Sequence, residues 1–423
     1  MTGKQNVSDL AIFGGPPAFD NMLHVGRPNI ADRSRLFSRL DQLLDSRWLT
    51  NDGPFVAEFE ERLAELLEVK HCIVTCNGTV ALEIAIRAAG LNGEVIVPAF
   101  TFIATAHSLQ WQQITPVFCD IRPDTYNIDP SSIESLITPK TTGIIGVHLW
   151  GEPCAIEEIE EIAERHGLTV LYDAAHAFAV SHRMKMIGNF GRAEIFSFHA
   201  TKFFNTFEGG AIATNDDGLA ERVRLMKNFG FSGYDEVIHI GTNGKMTEVS
   251  AAMGLTGLED LNTFIEINYR NYKQYVELLS TIPGIRARVY DENERRNYQY
   301  VVFEIDEARS GITRDSLMQV LHAENIKARR YFYPGCHLME PYRSHFPHYR
   351  LVLKNTERVA RSVLSLPTGT AVQPDDIGTV CNIVKFTVEH GAEIDRRIER
   401  SSIAERSLPS NRASAGRSAD IFS

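Results

Sequence analysis

The chain has little of what would staple, anchor or charge it toward a polyanion. Its 423 residues hold six cysteines, Cys72, Cys76, Cys119, Cys154, Cys336 and Cys381, scattered and with no C-x-x-C pair. That spacing offers neither a disulfide framework nor a thiolate metal site, and buried thiols in a reducing cytoplasm are expected, with no metal. Basic residues are outnumbered, 43 lysines and arginines against 54 acids, for a net charge of −11. Nucleic acid and anionic membranes need a basic face, so neither is expected as a partner. Long apolar runs are missing too. The most apolar window, "EVIVPAFTFIATAHSLQW", carries a charge and a proline and is too short to span a bilayer. The opening "MTGKQNVSDLAIFGG" has too short an apolar core for a signal peptide. The expected location is the cytoplasm. There is also no G-x-G-x-x-G and no Walker lysine motif, which weighs against dinucleotides and ATP.

What is present is a globular composition, 43% hydrophobic and 23% charged, on a chain longer than one ordinary core, so two domains are expected. Between residues 58 and 215, seven short apolar runs alternate with helical patterns: "HCIVTC", "EVIVPAF", "PVFCDI", "GIIGVHLW", "TVLYDAA", "EIFSFH" and "GGAIATN". This alternation predicts an α/β fold with a mostly parallel seven-stranded sheet covered on both faces. After residue 270 the pattern turns to a smaller α+β domain, with strands at "YQYVVFEI" and "KARRYFYP" and closing helices around "TERVARSVLSL" and "DIGTVCNIVKFTVEHG". The expected divisions are an arm over 1–30, a large domain over 31–270, a small domain over 271–391, and a Ser- and Arg-rich disordered tail over 392–423.

Ligands in such sheets bind beyond the carboxyl ends of the strands. Asp173 follows the strand "TVLY", where it could cap the next helix or hold a proton on a heterocyclic nitrogen. Gly78 and Thr79 open the helix after "HCIVTC", a terminus that suits capping alone or a phosphate. Phe102 follows "EVIVPAF" and reads as core or as a cofactor platform. Ser197, His176 and His199 have ordinary structural readings. Lys202 is different in kind, because it lies five residues beyond Ser197 among Phe196, Phe198, Phe203, Phe204 and Phe207. Desolvation there lowers a lysine pKa and leaves a nucleophilic amine. Lysine for an aldehyde, aspartate for a ring nitrogen and a glycine-threonine helix start for a phosphate together describe a pyridoxal 5′-phosphate site.

On these residues, and on "RWLTNDGPFVAEFE", "CNGTVALEIAI", "PVFCDIRPDTYNIDP", "GVHLWGEPC", "GNFGRAEIFSFHATKFFNTFEGGAIATND", "MKNFG" and "NGKMTEVSAAMGL", the chain resembles the DegT/DnrJ/EryC1/StrS family of nucleotide-sugar aminotransferases from Arg47 to Glu389. The resemblance implies the fold type I aminotransferase architecture and a homodimer whose two active sites use residues of both chains. It implies that Lys202 bonds the cofactor aldehyde, that Asp173 pairs with the ring nitrogen, and that Phe102 stacks on the ring. Gly78, Thr79 and Ser197 would bind the phosphate, His176 would contact the ring face or its phenolic oxygen, and Asn228 would reach the neighbouring subunit's phosphate. Three departures stand out: Lys245 replaces the arginine of the "N-x-R-M-x-E" pattern, Phe207 replaces a glycine, and "RRYFYPGCH" departs from the plainer family form.

The implied reaction moves an amino group from L-glutamate to C4 of dTDP-4-keto-6-deoxyglucose, giving a 4-amino-4,6-dideoxyglucose, with Lys245, Arg329 and Arg330 as candidate cations for the diphosphate. Amination of a C3 keto-sugar or a keto-cyclitol is the alternative. Lys202 argues against the family's dehydratase branch, in some members of which a histidine replaces the lysine. The intact set of cofactor residues argues against a non-catalytic sensor or scaffold.

Overall fold

The structure is a computed structural model that describes residues 4–407. The seven expected strands all form, and they make one sheet: β1 (His71–Thr75), β2 (Glu94–Pro98), β3 (Thr115–Cys119), β4 (Thr141–Val147), β5 (Thr169–Asp173), β6 (Ala193–Ser197) and β7 (Gly210–Thr214), in the order β1-β7-β6-β5-β4-β2-β3. Only β7 runs against its neighbours, β1 and β6.

Successive side chains in a strand point to opposite faces, and here both faces are dry. Val74, Ile96, Val117, Ile144, Val170 and Phe196 enter one core, and Ile73, Val97, Phe118, Ile145, Leu171 and Ile195 enter the other. Helices Pro54–Leu67, Ile156–His166 and Glu248–Glu259 cover the first face; helices Gly78–Ala88, Ile103–Gln110 and Asp217–Met226 cover the second. This two-sided burial explains why the strands read as unbroken apolar runs, each large side chain contributing about 1.5–3 kcal/mol of transfer free energy.

A three-stranded antiparallel sheet, β8 (Ile285–Ala287), β9 (Val301–Ile305) and β10 (Val363–Leu366), packs with helices Arg314–Ala323 and Pro374–Glu389 in a separate core. The boundary drawn at residue 270 falls inside one helix, Leu261–Leu279. That helix gives Leu261 and Phe264 to the first core and Tyr275 and Leu279 to the C-terminal one, so it is a shared spine. The N-terminal arm belongs with the C-terminal core: Val7, Leu10, Phe19 and Leu23 pack there, and Leu23–His24 pairs in parallel with Ile326–Lys327.

Three expectations give way. Strand at "KARRYFYP" is confined to Ile326–Lys327 and a single bridge from Arg329 to Ser365; Pro334, which has no N–H to donate, and Gly335, at φ 98°, fall in the turns that follow. The helix at "TERVARSVLSL" stops at Ser362, because Val363, Leu364, Ser365 and Leu366 are all buried and take the strand β10. The tail is not disordered from residue 392: Gly391–Ser407 is a helix whose Ile394 and Ile398 enter the C-terminal core. Two apolar residues at i, i+4 suffice for that anchoring, and the Ser- and Arg-rich composition of the segment masks them. Residues 408–423 of that expected tail lie outside the described residues. Among the described residues no helix is long and apolar enough to cross a membrane, and no cluster of three His, Cys, Asp or Glu is placed to hold a metal.

Candidate active site

The carboxyl edge of the sheet collects the candidates. β1 leads to Gly78, β2 to Phe102, β5 ends at Asp173 and leads to His176, and β6 ends at Ser197 and leads to Lys202.

Lys202 sits in a turn closed by its own N–H donating to the His199 carbonyl, 2.9 Å. The residue as a whole is partly exposed. Burial nevertheless pulls its amine down to about 8, against the nearby Asp173 carboxylate, which pulls it up. Asp173 is 6% exposed, and burial raises its pKa, opposed first by a hydrogen bond from Thr105 Oγ1 to Oδ2 of 2.8 Å and then by the Ala175 N–H to Oδ1 of 3.1 Å. Thr105 is itself in contact with Thr101 Oγ1 at 3.0 Å. Sequence reasoning passed over Thr105, although it stands three residues after Phe102 in the first turn of the helix Ile103–Gln110, facing the same edge.

His176 is buried, and its Nδ1 accepts the Trp150 backbone N–H at 3.2 Å. Burial and then the Lys202 charge hold it well below its ordinary pKa, so it is a neutral ring with its proton on Nε2. It lies parallel to Phe332, 5.8 Å between centroids and 7° between planes, and Phe332 in turn meets Phe102 at 6.3 Å. Phe102 is 52% exposed, so it is not core. Phe332 belongs to the divergent "RRYFYPGCH" segment, whose place in the site the sequence did not reveal.

At the other end, Asn77 caps the helix Gly78–Ala88 by accepting the Val80 N–H at 2.8 Å. This leaves the first amides of the helix pointing out of the edge. A Cβ on Gly78 would come within 2.9 Å of Ser197 Cβ, so only glycine lets this terminus approach Ser197. Asn228 and Lys245 are joined, Nζ to Oδ1 at 2.9 Å, with the ammonium 4.8 Å from the Phe229 ring. Arg330 is held by Asp315 at 3.0 Å and lies over Tyr333, while Arg329 lies over Tyr331. Both arginines are thus engaged within the small domain, and among the described residues no hydrogen bond or ion pair joins Arg330 to Lys202 or Asp173.

These residues fit pyridoxal 5′-phosphate on their own chemistry. A buried carboxylate with two donors has room for a third from a protonated ring nitrogen, an amine whose pKa burial lowers suits an aldehyde carbon, and a bare helix terminus beside a serine suits a phosphate.

The comparisons agree with the geometry. The model of the DegT/DnrJ/EryC1/StrS aminotransferase family matches residues 31–385. The chain is 37% identical over 364 residues to the dTDP-4-amino-4,6-dideoxy-D-glucose transaminase of Shigella dysenteriae, covering 86% of this chain and 98% of that one. It is 36% identical over 345 residues to GDP-perosamine synthase of Caulobacter vibrioides, covering 80% and 91%. Among solved structures, DesI in the presence of its TDP-sugar product superposes with a TM-score of 0.90 at 50% identity, covering 93% of this chain and all of that one. PseC of Helicobacter pylori, an aminotransferase of pseudoaminic acid biosynthesis, superposes at 0.81 with 27% identity, covering 87% of this chain and all of PseC. The chain is a pyridoxal-phosphate-dependent aminotransferase and belongs to the DegT/DnrJ/EryC1/StrS family.

Proposed function

We propose that this enzyme transfers the amino group of L-glutamate to C4 of dTDP-4-keto-6-deoxy-D-glucose, forming dTDP-4-amino-4,6-dideoxy-D-glucose. The observation that carries the reading is likeness over nearly the full chain to transaminases named for that product, at 37% and 36% identity, together with the 50% identity to DesI, crystallised with a TDP-sugar product.

When bound, the cofactor supplies a carbonyl-like carbon and a ring that withdraws electrons. Lys202 Nζ would take the proton from the α-carbon of the donor and carry it across the transferred nitrogen, two bonds away, with the reverse transfer at C4 of the sugar. A pKa near 8 keeps both its forms populated at neutral pH. Asp173 holds a proton on the ring nitrogen, with Thr105 and the Ala175 N–H fixing its two oxygens. Phe102 would stack on the ring, His176 would contact the ring face or its phenolic oxygen, and Gly78, Thr79 and Ser197 would take the phosphate. Asn228, oriented by Lys245, completes the phosphate site of a second copy of the chain, in a homodimer with shared active sites. The diphosphate of the sugar nucleotide meets Lys245 of that second copy with Arg329 and Arg330. The enzyme works in the cytoplasm.

The deciding experiment incubates the holoenzyme with glutamate and a panel of 3-keto and 4-keto dTDP-sugars, with the product assigned by NMR. Amination of dTDP-4-keto-6-deoxyglucose at C4 is expected, and its absence from every 4-keto sugar would sink the reading. Lys202→Ala is expected to abolish transfer.

A further inference from the structure

The ring of His176 is held by a peptide in an uncommon conformation. Trp150, which donates its N–H to His176 Nδ1 at 3.2 Å, has φ 55° and ψ 26°, the left-handed region that a bulky residue enters at a cost. Such strain persists only where the surroundings fix it. The indole does not fix it by hydrogen bonding: Trp150 is fully buried, yet its Nε1 has no hydrogen-bond partner, and the ring is held edge-on by Phe100 at 5.7 Å and Tyr126 at 5.5 Å. The polar grip on this residue is through its peptide groups, the N–H on His176 and the carbonyl, which accepts from Tyr290 Oη at 2.9 Å.

Tyr290 stands in the link between β8 and β9 and is itself pinned. It is 3% exposed, its N–H donates to Tyr272 Oη at 3.0 Å, and its ring meets those of Tyr272 at 5.3 Å and Tyr298 at 5.6 Å. Its hydroxyl also lies 2.9 Å from the Tyr300 carbonyl, so one proton serves two carbonyls. Both of those residues touch the His176 ring, Trp150 by its N–H and Tyr300 by its own ring at 4.6 Å. Further along the same link, Asn297 Nδ2 donates to the carbonyls of His176 at 2.9 Å and Phe178 at 3.0 Å. That amide fixes the backbone of the loop after Asp173. What remains to be fixed is the His176 ring, and among the described residues the Trp150 N–H makes its one hydrogen bond.

We propose that Tyr290 is a positioning residue for the transamination, whose hydroxyl holds the Trp150 peptide so that its N–H keeps the His176 ring in one orientation against the cofactor. The inference rests on the cofactor role given to His176 above. Without the hydroxyl, the buried carbonyls of Trp150 and Tyr300 lose the donor they share, and the strained Trp150 peptide is free to turn toward an ordinary conformation, taking its N–H off Nδ1. Nδ1 and Nε2 then compete for the one proton of the neutral ring. The ring of a Tyr290→Phe variant keeps its packing against Tyr272 and Tyr298, so the change is confined to the hydroxyl.

The test compares three variants as holoenzymes: Tyr290→Phe; Tyr272→Phe, which removes another hydroxyl of the same aromatic cluster but none that touches Trp150; and His176→Ala as the reference. With isotope-labelled histidine, the nitrogen NMR signals of wild-type His176, assigned by their loss in His176→Ala, should show one tautomer with the proton on Nε2. Tyr290→Phe should shift them to a mixture. The pH midpoint of the bound cofactor's visible absorbance should move in Tyr290→Phe by about half a pH unit or more, as one lost hydrogen bond implies, and in the same direction as in His176→Ala. Saturated turnover should fall about threefold to tenfold, with the glutamate KM held within about twofold. Tyr272→Phe should lower the urea midpoint while moving neither the tautomer nor the absorbance. A Tyr290→Phe variant that keeps one tautomer and the wild-type absorbance midpoint, while His176→Ala shifts that midpoint, would overturn the proposal and leave the His176 reading intact. Equal shifts from Tyr272→Phe would overturn it too, because they assign the effect to packing. An absorbance midpoint unmoved in His176→Ala, with the tautomers mixed in Tyr290→Phe, would instead overturn the cofactor role of His176, and with it any part for Tyr290 in the reaction.

Discussion

At the scale of single residues, the proposed mechanism turns on the burial of one amine. An exposed lysine at neutral pH is almost wholly protonated, whereas burial holds Lys202 at about 8. The neutral form is the nucleophile, so capture of pyridoxal phosphate by the apoprotein should accelerate as pH rises, with its half-maximal rate near pH 8, and level off above. Following absorbance after mixing, from pH 6 to 10, checks this; a midpoint above 10 would show an amine open to solvent. Lys202 and Asp173 were legible because each breaks a local expectation, a charge at the end of an apolar run. The partners that tune them were not, since Thr105, Trp150 and Phe332 have residue types any strand end or loop can carry. Phe207 became intelligible only in three dimensions. It stands where the resemblance leads one to expect glycine, and its backbone has φ 64°, a conformation costly for a bulky side chain, with the ring 44% exposed. Phe207→Gly should therefore stabilise the folded chain by about 1 kcal/mol, read from denaturant midpoints; a loss of stability would mean that the ring's contacts outweigh the strain.

At the scale of elements, the seven strands could be read because burial on both faces gives them unbroken apolar runs, and helices such as Gly78–Ala88 because capping marks their ends. The C-terminal helix could not, because Ile394 and Ile398 are two apolar residues in a run of charges and serines. Its attachment is also polar: Asp395 accepts hydrogen bonds from Ser316 and Thr313 at the start of the helix Arg314–Ala323. Ile394 is fully buried, so Ile394→Ala should cost about 2–5 kcal/mol of stability. The measurement is a urea titration with activity assayed alongside, and the expected result is a lower midpoint with unchanged turnover at low temperature. A cost below about 0.5 kcal/mol would mean that the helix is not docked as described.

At the scale of the whole molecule, the single chain leaves apolar surface that water should not see. The loop from Phe229 to Ile240 shows Phe229, Val237 and Ile238 more than 40% exposed, Ile240 at 74% and Tyr234 entirely open, and the helix Arg33–Ser46 with the turn after it adds Phe37, Leu44, Trp48 and Leu49. Patches of this kind mark protein interfaces, and the same loop begins at Asn228 and runs on toward Lys245, residues whose side chains join to each other and to nothing of Lys202 or Asp173. A second copy of the chain placed on this loop would cover the patch and bring the Asn228–Lys245 pair to a neighbouring phosphate site, which accounts for both features with one partner. Each buried isoleucine contributes about 1.5–3 kcal/mol, and in a two-fold dimer every substitution acts twice. Ile240→Asp should therefore weaken association roughly a hundredfold or more, moving the protein from dimer toward monomer in sedimentation equilibrium. On the proposed dimer, cofactor retention on gel filtration should fall with it, because each phosphate site would lose the asparagine of the second copy. Wild-type protein that sediments as a monomer, or a monomeric Ile240→Asp variant that keeps its cofactor as tightly as the wild type, would show that each chain carries a complete site of its own.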